Sequence, residues 1–304
     1  MAKKVFIFPG QGSQHVGMGK ALFDAHDDVK ALYSSASELA GVDIAGISFD
    51  GPQYELDADV NAQLAVYTAN EAYRISADKM GLVPDAVTGY SLGFYSAVVA
   101  AGCLGFADGL MAVKTAGELA LKHGGPGSMG AIIGLSQQEV EEICAAASSV
   151  GQVWVSNINA ARQILVSGSA QGVERAVELA LQKGVLAAYR LPMNAAYHSP
   201  MMSGAVREFE GYVGGLGFKD PEIPLVSYLE AEYLEDADAV SRTVSGQLAR
   251  RVLWKDTVLR LVADGFDEFV EVGPGSALSR MVRWVARDVK VTAMESLLDT
   301  GSKV

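Results

Sequence analysis

A five-residue motif, Gly89-Tyr90-Ser91-Leu92-Gly93, stands between a short strand-like run and an Ala- and Val-rich segment that continues to Ala101. The pattern G-x-S-x-G in this context predicts a strand, a sharp turn and a helix, with the Ser91 hydroxyl exposed at the turn. Backbone N–H groups at the start of that helix favour developing negative charge. The alternative is an ordinary strand-to-helix turn that contains a serine. Both interpretations require a β-strand followed directly by a helix.

Two other apolar runs also end in glycine-rich turns. Val5–Phe8 is followed by Pro9-Gly10-Gln11-Gly12-Ser13-Gln14, and Phe269–Val272 is followed by Gly273-Pro274-Gly275. Each pattern predicts a buried strand with a loop at its carboxyl end. Apolar periodicity predicts helices in between, over about Ala21–Ala40, Ala62–Met80, Pro200–Gly214 and Asp238–Ala263. Strands that alternate with helices imply a parallel sheet covered on both faces.

The middle of the chain follows a different order. After the Gly-rich cluster at residues 124–128 the pattern predicts strand, helix, two strands, helix and strand, which is the ferredoxin-like arrangement. Ser136 and Glu139 form a capping box at the first of these helices. We therefore predict an α/β fold in which an α/β-hydrolase-like large subdomain with a parallel sheet comprises residues 1–127 and 196–304. A ferredoxin-like small subdomain, residues 128–195, is inserted into it.

Composition excludes several classes of function. Half of the 304 residues are hydrophobic, so the chain can bury a core. The formal net charge of −12 repels nucleic acid and anionic membranes, and Val5–Phe8 is too short for a signal sequence or a membrane span. Cys103 and Cys144 show no CxxC spacing, which fits a reducing cytoplasm. The sequence predicts no metal site, phosphate loop or dinucleotide fingerprint.

A serine nucleophile needs a base, because its hydroxyl is weakly reactive at neutral pH. The chain has four histidines. His26 and His123 lie in polar, helix-end surroundings, whereas His198 lies just after the small subdomain, where the chain crosses back to the large sheet. We predict a Ser91–His198 pair; a packed histidine in a crossover loop is the alternative. The backbone N–H groups of Gln11 and Leu92 are candidates for an oxyanion hole.

With these motifs in this order, the sequence resembles the malonyl-CoA:acyl-carrier-protein transacylase family, including the acyltransferase domains of polyketide synthases. The resemblance covers essentially the whole chain. It rests on the three glycine-rich motifs, on Asn159 through Gly168, on His198-Ser199 with Met202, and on Gln247 before Trp254.

The resemblance implies a role for each matching residue. Ser91 would be the acylated nucleophile, His198 the base, Gln11 and Leu92 the oxyanion hole, and Gln247 a group that helps to position the histidine and the substrate. It implies no bound cofactor: a coenzyme A thioester is the substrate, and phosphopantetheine is carried by the partner, an acyl carrier protein.

The sequence departs from the family pattern around the nucleophile. Tyr90 and Phe94 replace a histidine and a glutamate or glutamine, and Ala116 stands where malonyl-using members carry a carboxylate-binding arginine. Together with Tyr197, these residues predict a neutral, aromatic acyl pocket. Either another cation binds a malonyl carboxylate, or the acyl group is neutral.

Other functions stay open at this stage. The same dyad could pass the acyl group to water, which would make the protein a hydrolase that clears acyl groups from carrier proteins. An inactive binding subunit is disfavoured by the intact Ser91 and His198. Arg280, Arg283 and Arg287 recur on a predicted helix, which is either a solvated helix face or a docking surface for an acidic carrier protein.

Overall fold

The computed structural model describes residues 3–299, which contain two β-sheets. The strands, in chain order, are β1 Lys3–Phe8, β2 Ala86–Gly89, β3 Gly127–Ile133, β4 Val153–Ala160, β5 Gln163–Ser169, β6 Ala187–Arg190, β7 Leu225–Val226, β8 Tyr233–Leu234, β9 Phe266–Glu271 and β10 Lys290–Ala293. The larger sheet has the order β10-β9-β1-β2-β7-β8, and all its neighbours are parallel except β7 and β8. The smaller sheet is antiparallel, with the order β4-β5-β3-β6.

The helices of the described residues cover the faces of these sheets. In chain order they are α1 Lys20–Ala25, α2 Asp27–Ala40, α3 Ile44–Phe49, α4 Gln53–Leu56, α5 Asp59–Lys79, α6 Gly93–Ala100, α7 Phe106–Gly124, α8 Gln137–Ala147, α9 Ala170–Gln182, α10 Ser203–Val213, α11 Ala237–Gly246, α12 Trp254–Ala263, α13 Ala277–Val285 and α14 Met294–Asp299. Short 3₁₀ turns lie at Pro200–Met202 and Gln247–Ala249. The capping box predicted at Ser136 is present.

The predicted two-part α/β fold is confirmed. Strand order in the small sheet is that of a ferredoxin-like unit, and its elements run from Gly127 to Arg190. The two parts have separate apolar cores, the smaller of which is built around Ile132, Ile164 and Val166. The domain boundaries at residues 128 and 195 stay a prediction.

Two of the predicted helices are divided in the structure. The helix predicted over Ala21–Ala40 breaks at His26, whose backbone is extended, and Asp27 and Asp28 then open a new helix where carboxylates favour the N-terminus. The helix predicted over Asp238–Ala263 ends at Gly246 and resumes only at Trp254. The segment between the two pieces forms part of the candidate site.

Strand order in the large sheet places three turns side by side. β1 lies between β2 and β9, and all three run parallel. Their carboxyl ends therefore meet at one edge, where ligands bind in open α/β sheets. The turns after Phe8, Gly89 and Glu271 are the three glycine-rich motifs of the sequence.

No helix within residues 3–299 combines the length and the apolar character that a membrane span requires. The cytoplasmic location stays a prediction.

Candidate active site

Ser91 lies on a strained turn at the end of β2. Its backbone has φ 52°, a left-handed conformation that is uncommon for a residue with a side chain. The flanking glycines make the turn possible: a Cβ at Gly89 would overlap the carbonyl of Gly93, and a Cβ at Gly93 would overlap the carbonyl of Phe8. Helix α6 begins directly after the turn. The hydroxyl is thus held, half-buried, above a helix N-terminus.

His198 is within hydrogen-bond distance of this hydroxyl. Ser91 Oγ and His198 Nε2 are 2.7 Å apart. On the other side of the ring, Nδ1 lies 3.0 Å from the main-chain carbonyl of Gln247 and 3.0 Å from that of Arg250. A carbonyl oxygen only accepts hydrogen bonds, so Nδ1 carries the proton and Nε2 has the free lone pair. This tautomer can accept the Ser91 proton.

Burial keeps the imidazole of His198 neutral. The residue is 5% exposed, and loss of hydration lowers the pKa of His198 to about 4, although the two carbonyls act in the opposite direction. Its backbone is also left-handed, with φ 60°, and its N–H donates to the carbonyl of Leu248 at 2.7 Å. The side chain is therefore fixed and deprotonated at neutral pH.

The break between α11 and α12 supplies the two carbonyls that hold His198. In an unbroken helix the carbonyls of Gln247 and Arg250 would accept intrahelical N–H groups four residues on. Here the 3₁₀ turn ends at Ala249 and Arg250 is extended, with φ −104° and ψ 143°. The Arg250 carbonyl thereby faces Nδ1, as does the Gln247 carbonyl, which also accepts the Arg250 N–H at 3.3 Å. The continuous helix that we predicted from the sequence could not do this.

The side chain of Gln247 differs in its contacts from the predicted role. Its Oε1 accepts the hydroxyl of Tyr228 at 2.7 Å, and its Nε2 donates to the carbonyl of Val244 at 3.2 Å. The main chain of Gln247, rather than its carboxamide, contacts His198. The carboxamide is fixed in the wall of the cavity described below.

Two backbone N–H groups near Ser91 are candidates for the oxyanion hole. Among the described residues, neither the N–H of Gln11 nor that of Leu92 donates to an acceptor in the protein. The side chain of Gln11 is anchored on both ends, because its Nε2 donates to Asp59 at 2.9 Å and its Oε1 accepts Gln63 Nε2 at 3.0 Å. Both residues line the cavity that adjoins Ser91 and His198, and their role as an oxyanion hole stays a prediction.

A cavity of about 100 Å³ adjoins Ser91 and His198. Its wall is built from strands of the small sheet and from helices and turns of the large subdomain. Of the predicted substrate-binding residues, Tyr90, Ala116, Tyr197 and Gln247 line it. The remaining lining residues are Gln11, Gln63, Leu92, Tyr95, Val113, Gly117, Met129, Asn157, Leu165, Leu191, Met193 and Leu248.

Phe94, in contrast to the prediction, does not line this cavity. Its side chain is fully buried and packs on Tyr228, with ring centroids 5.3 Å apart. The next residue on α6, Tyr95, faces the cavity instead. Adjacent residues of a helix point about 100° apart, and a residue count from the motif cannot decide which one faces a ligand.

Among residues 3–299, no Lys, Arg, Asp or Glu side chain lines the cavity. Ala116 is 4% exposed and offers only a methyl group. Lys114, two residues earlier on α7, does not line the cavity and pairs instead with Glu118 at 3.4 Å. Apart from Ser91 and His198, the polar side chains that line the cavity are amides and phenols.

Three polar residues of this wall were missed from the sequence. Gln63 donates to Gln11 and to the Tyr197 hydroxyl, each at 3.0 Å. Tyr95 and Asn157 line the cavity from α6 and β4. Gln63 is a buried polar residue in a long helix, four residues after the buried Asp59. That i, i+4 pair of polar residues on a buried face was the only available signal.

The basic stripe near the end of the chain is shorter than predicted. Helix α13 ends at Val285, so Arg287 lies beyond it. Arg280 donates to Ser276 Oγ at 2.9 Å, and Arg283 donates to the carbonyl of Val291 at 2.8 Å. Across residues 3–299 there is no group of three or more His, Cys, Asp or Glu side chains that could hold a metal ion.

Comparison with known proteins gives a consistent result. Residues 5–300 match the family model described as the acyl transferase domain. The chain is 34% identical to a malonyl CoA-acyl carrier protein transacylase of Bacillus subtilis, over 97% of this chain and 94% of the relative. It is 33% identical to the Staphylococcus aureus protein of the same name, over 98% and 97%.

Solved structures show the same similarity. An acyl-carrier-protein S-malonyltransferase from Burkholderia pseudomallei superposes with a TM-score of 0.94 at 33% identity, covering 99% of this chain and 100% of that one. A malonyl-transacylase in complex with its type II PKS acyl-carrier protein superposes with a TM-score of 0.91 at 28% identity, covering 98% and 100%.

Proposed function

Because this chain belongs to the acyl transferase domain family, we propose that it transfers an acyl group from coenzyme A to an acyl carrier protein through an ester on Ser91. The resemblance expected from the motifs is confirmed by the family match. Like its relatives, the chain would act in fatty acid or polyketide synthesis. We propose further that the acyl group it prefers is neutral, not malonyl.

In the first step Ser91 is acylated. His198 Nε2 accepts the Ser91 proton while Oγ attacks the thioester carbonyl, and the N–H groups of Gln11 and Leu92 bind the resulting oxyanion. The tetrahedral intermediate then expels the coenzyme A sulfur, which takes the proton from Nε2. The positive charge that His198 carries in between is stabilised by the carbonyls of Gln247 and Arg250.

In the second step the carrier protein's phosphopantetheine thiol enters as the acceptor. Nε2 takes the thiol proton, the sulfur attacks the ester carbonyl, and the same two N–H groups bind the oxyanion. Collapse releases Ser91 Oγ, which recovers its proton from His198. Each step returns His198 to its neutral form, and the second step also regenerates the Ser91 hydroxyl.

The neutral cavity wall is the observation that carries the proposed acyl preference. A malonyl group would place a carboxylate among Ala116, amides and phenols with no cation beside it. Burial of an unpaired carboxylate costs at least several kcal/mol. A neutral acyl group avoids this cost and gains apolar contacts with residues such as Val113, Leu165 and Met193.

The test is competition between malonyl-CoA and neutral acyl-CoAs of two to four carbons, with intact mass reporting the group held on the protein. We expect a neutral acyl group to dominate, and the added mass to map to a peptide containing Ser91. Clear preference for malonyl would show that a cation reaches the cavity during the reaction and would overturn the neutral assignment.

The acyl acceptor is tested separately. Purified acyl-enzyme is incubated with and without a phosphopantetheine-bearing carrier protein, and loss of the ester is followed by mass. A transferase loses its acyl group rapidly only when the carrier protein is present. Equally rapid loss in buffer alone would make the protein a hydrolase.

A further inference from the structure

Asp59 is a buried carboxylate beside the active site that the proposed reaction does not use. It is the first residue of α5 and is 5% exposed. Its Oδ1 accepts the side-chain Nε2 of Gln11 at 2.9 Å, and its Oδ2 accepts the backbone N–H and the Nδ2 of Asn194 at 3.3 and 3.2 Å. These donors are all uncharged. Burial of a carboxylate is costly unless hydrogen bonds replace its water, so the position of each donor is constrained.

The carboxylate of Asp59 joins two segments that are far apart in the sequence. Gln11 lies on the turn after β1, and its backbone N–H is a candidate donor of the oxyanion hole. Asn194 lies on the crossover that leads from β6 back to the large subdomain, four residues before His198. One side chain therefore links the turn that would bind the oxyanion to the segment that carries the base.

Gln63 completes this link one turn further along α5. Its Nε2 donates to Gln11 Oε1 and to the hydroxyl of Tyr197, each at 3.0 Å, and Tyr197 directly precedes His198. The carboxamide of Gln11 is thus held at both ends by one helix. A rotation of the Gln11 backbone would move this carboxamide away from its partners and would break hydrogen bonds in a largely buried place.

We propose that Asp59 is a positioning residue for the acyl transfer, because its carboxylate sets the direction of the Gln11 N–H relative to Ser91 and His198. The inference rests on the proposed function, since it concerns the oxyanion that forms during transfer. An interaction made only with the oxyanion lowers the barrier to acylation and leaves the binding of acyl-CoA unchanged. Loss of Asp59 should therefore reduce the maximal rate of acylation and leave the half-saturating concentration of acyl-CoA almost unchanged.

The test compares Asp59→Leu with Asp57→Leu, the same change two residues earlier. Asp57 Oδ1 also accepts two glutamine side chains, one of them from the turn after β1, but within the described part of the chain it makes no hydrogen bond to Gln11. Each protein is acylated in single turnovers over a range of acetyl-, butyryl- or malonyl-CoA concentrations, with intact mass as the readout. With acyl-CoA in excess, the rate constant does not depend on the fraction of protein that is folded.

Asp59→Leu should lower the maximal acylation rate about ten- to a hundredfold with each donor that loads wild type. This approaches the loss of about 10² to 10³ that removal of one oxyanion-hole donor causes. The half-saturating concentration should stay within about twofold, and Asp57→Leu should stay close to wild type in both. An unchanged maximal rate in Asp59→Leu, or an equal loss in Asp57→Leu, would overturn the inference and leave the proposed function intact. A wild-type protein that forms no adduct on Ser91 with any of the three donors would overturn both.

A rescue experiment assigns the effect to the hydrogen bond between Asp59 and Gln11. Gln11→Glu places a second carboxylate against that of Asp59 and should slow acylation. Adding Asp59→Asn supplies an NH₂ group for the new carboxylate while its oxygen still accepts Asn194, so the acylation rate should recover about tenfold. Adding Asp57→Asn instead removes the same charge without the new bond and should not restore the rate. No recovery with Asp59→Asn, or equal recovery with Asp57→Asn, would contradict the assignment.

Discussion

The two ends of the active-site cavity are built in different ways. At the reaction end, the geometry depends on the main chain: two left-handed residues, two N–H groups with no acceptor in the described part of the chain, and two carbonyls that face His198 at a helix break. At the acyl end, the wall consists of side chains from α5, α6, α7, the small sheet and the loops beside them. A substitution at the acyl end can thus change which group is bound without disturbing the chemistry.

The two ends of the cavity therefore tolerate different substitutions. The reaction end requires close approach of backbone segments, as the glycines around Ser91 show. The acyl end requires only that its side chains fill space and pair their polar atoms. We therefore expect variants at the reaction end to reduce the acylation rate for every acyl group, and variants at the acyl end to change the ratio of loading between acyl groups.

The largest effect is expected from Ser91→Ala. It removes the nucleophile while leaving the fold intact, since one partly exposed hydroxyl is lost. Intact mass should show no acyl adduct with any acyl-CoA, and the circular dichroism spectrum should match that of wild type. An adduct formed at the wild-type rate would place the nucleophile elsewhere.

His198→Ala should slow acylation of Ser91 by a factor of about 10² to 10⁴, the usual contribution of a positioned base. The loss should be similar for neutral and malonyl donors, because the imidazole acts on Ser91 and not on the acyl chain. Single-turnover acylation followed by rapid-quench mass spectrometry measures this. A loss confined to one donor would assign His198 to the acyl end instead.

Ala116→Arg tests the acyl end. A bidentate arginine–carboxylate contact in a desolvated site contributes roughly 1.5 to 3 kcal/mol, so the ratio of malonyl to acetyl loading should rise about ten- to a hundred-fold. Ala116→Gln is a control with a long polar side chain and no charge. Crowding by Tyr90 and Tyr197 would reduce the gain. An unchanged ratio with both variants would mean that this part of the wall does not contact the end of the acyl group.

The smallest expected effect is that of pH on the acylation rate, which should not change near neutral pH. The base must be neutral to act, and burial lowers the pKa of His198 to about 4. The acylation rate should therefore stay constant from about pH 8 to about pH 5.5, whereas an unshifted histidine would lose about tenfold over the same range. Stability, unlike the acylation rate, should depend on pH. Between about pH 6.5 and pH 4 the unfolded chain binds a proton at His198 that the folded chain does not, so the free energy of unfolding falls as the pH is lowered. An acylation rate that falls to half near pH 6.5 would contradict the lowered pKa of His198.

Much of the fold could be predicted from the sequence because its signals are local. Short apolar runs before glycine-rich turns gave the parallel strands, and the capping box at Ser136 gave the start of α8. The prediction of one continuous helix over Asp238–Ala263 was wrong because it, too, relied on a local signal. Its apolar periodicity continues through residues 247–253, and the break is favoured by bonds to distant parts of the chain. These are the bonds of the Gln247 and Arg250 carbonyls to His198 and the backbone bonds that Val252 forms with Ser156 and Ile158.

The candidate site, like the fold, could be predicted only in part. Ser91, His198, Gln11 and Leu92 follow from motifs, and the structure brings them together, although their roles stay predictions until the variants are measured. The acyl wall depends on which side of each helix faces inward. That is why Phe94 was placed there in error, and why Gln63, Tyr95 and Asn157 were missed.

The use of carbonyls to orient His198 has a consequence for how the gene tolerates mutation. A carboxylate that oriented the base could be lost by a single codon change, but every amino acid at positions 247 and 250 supplies the same carbonyl. Saturation mutagenesis of Arg250 should therefore give many active variants with altered side chains. At Gln247 the side chain also accepts the Tyr228 hydroxyl in the cavity wall, so substitutions there should affect the wall without removing the carbonyl that orients the base. Inactivating changes should instead be those that move the backbone, such as insertions, deletions or proline near the break. The orientation of the base thus depends on the backbone conformation of this segment.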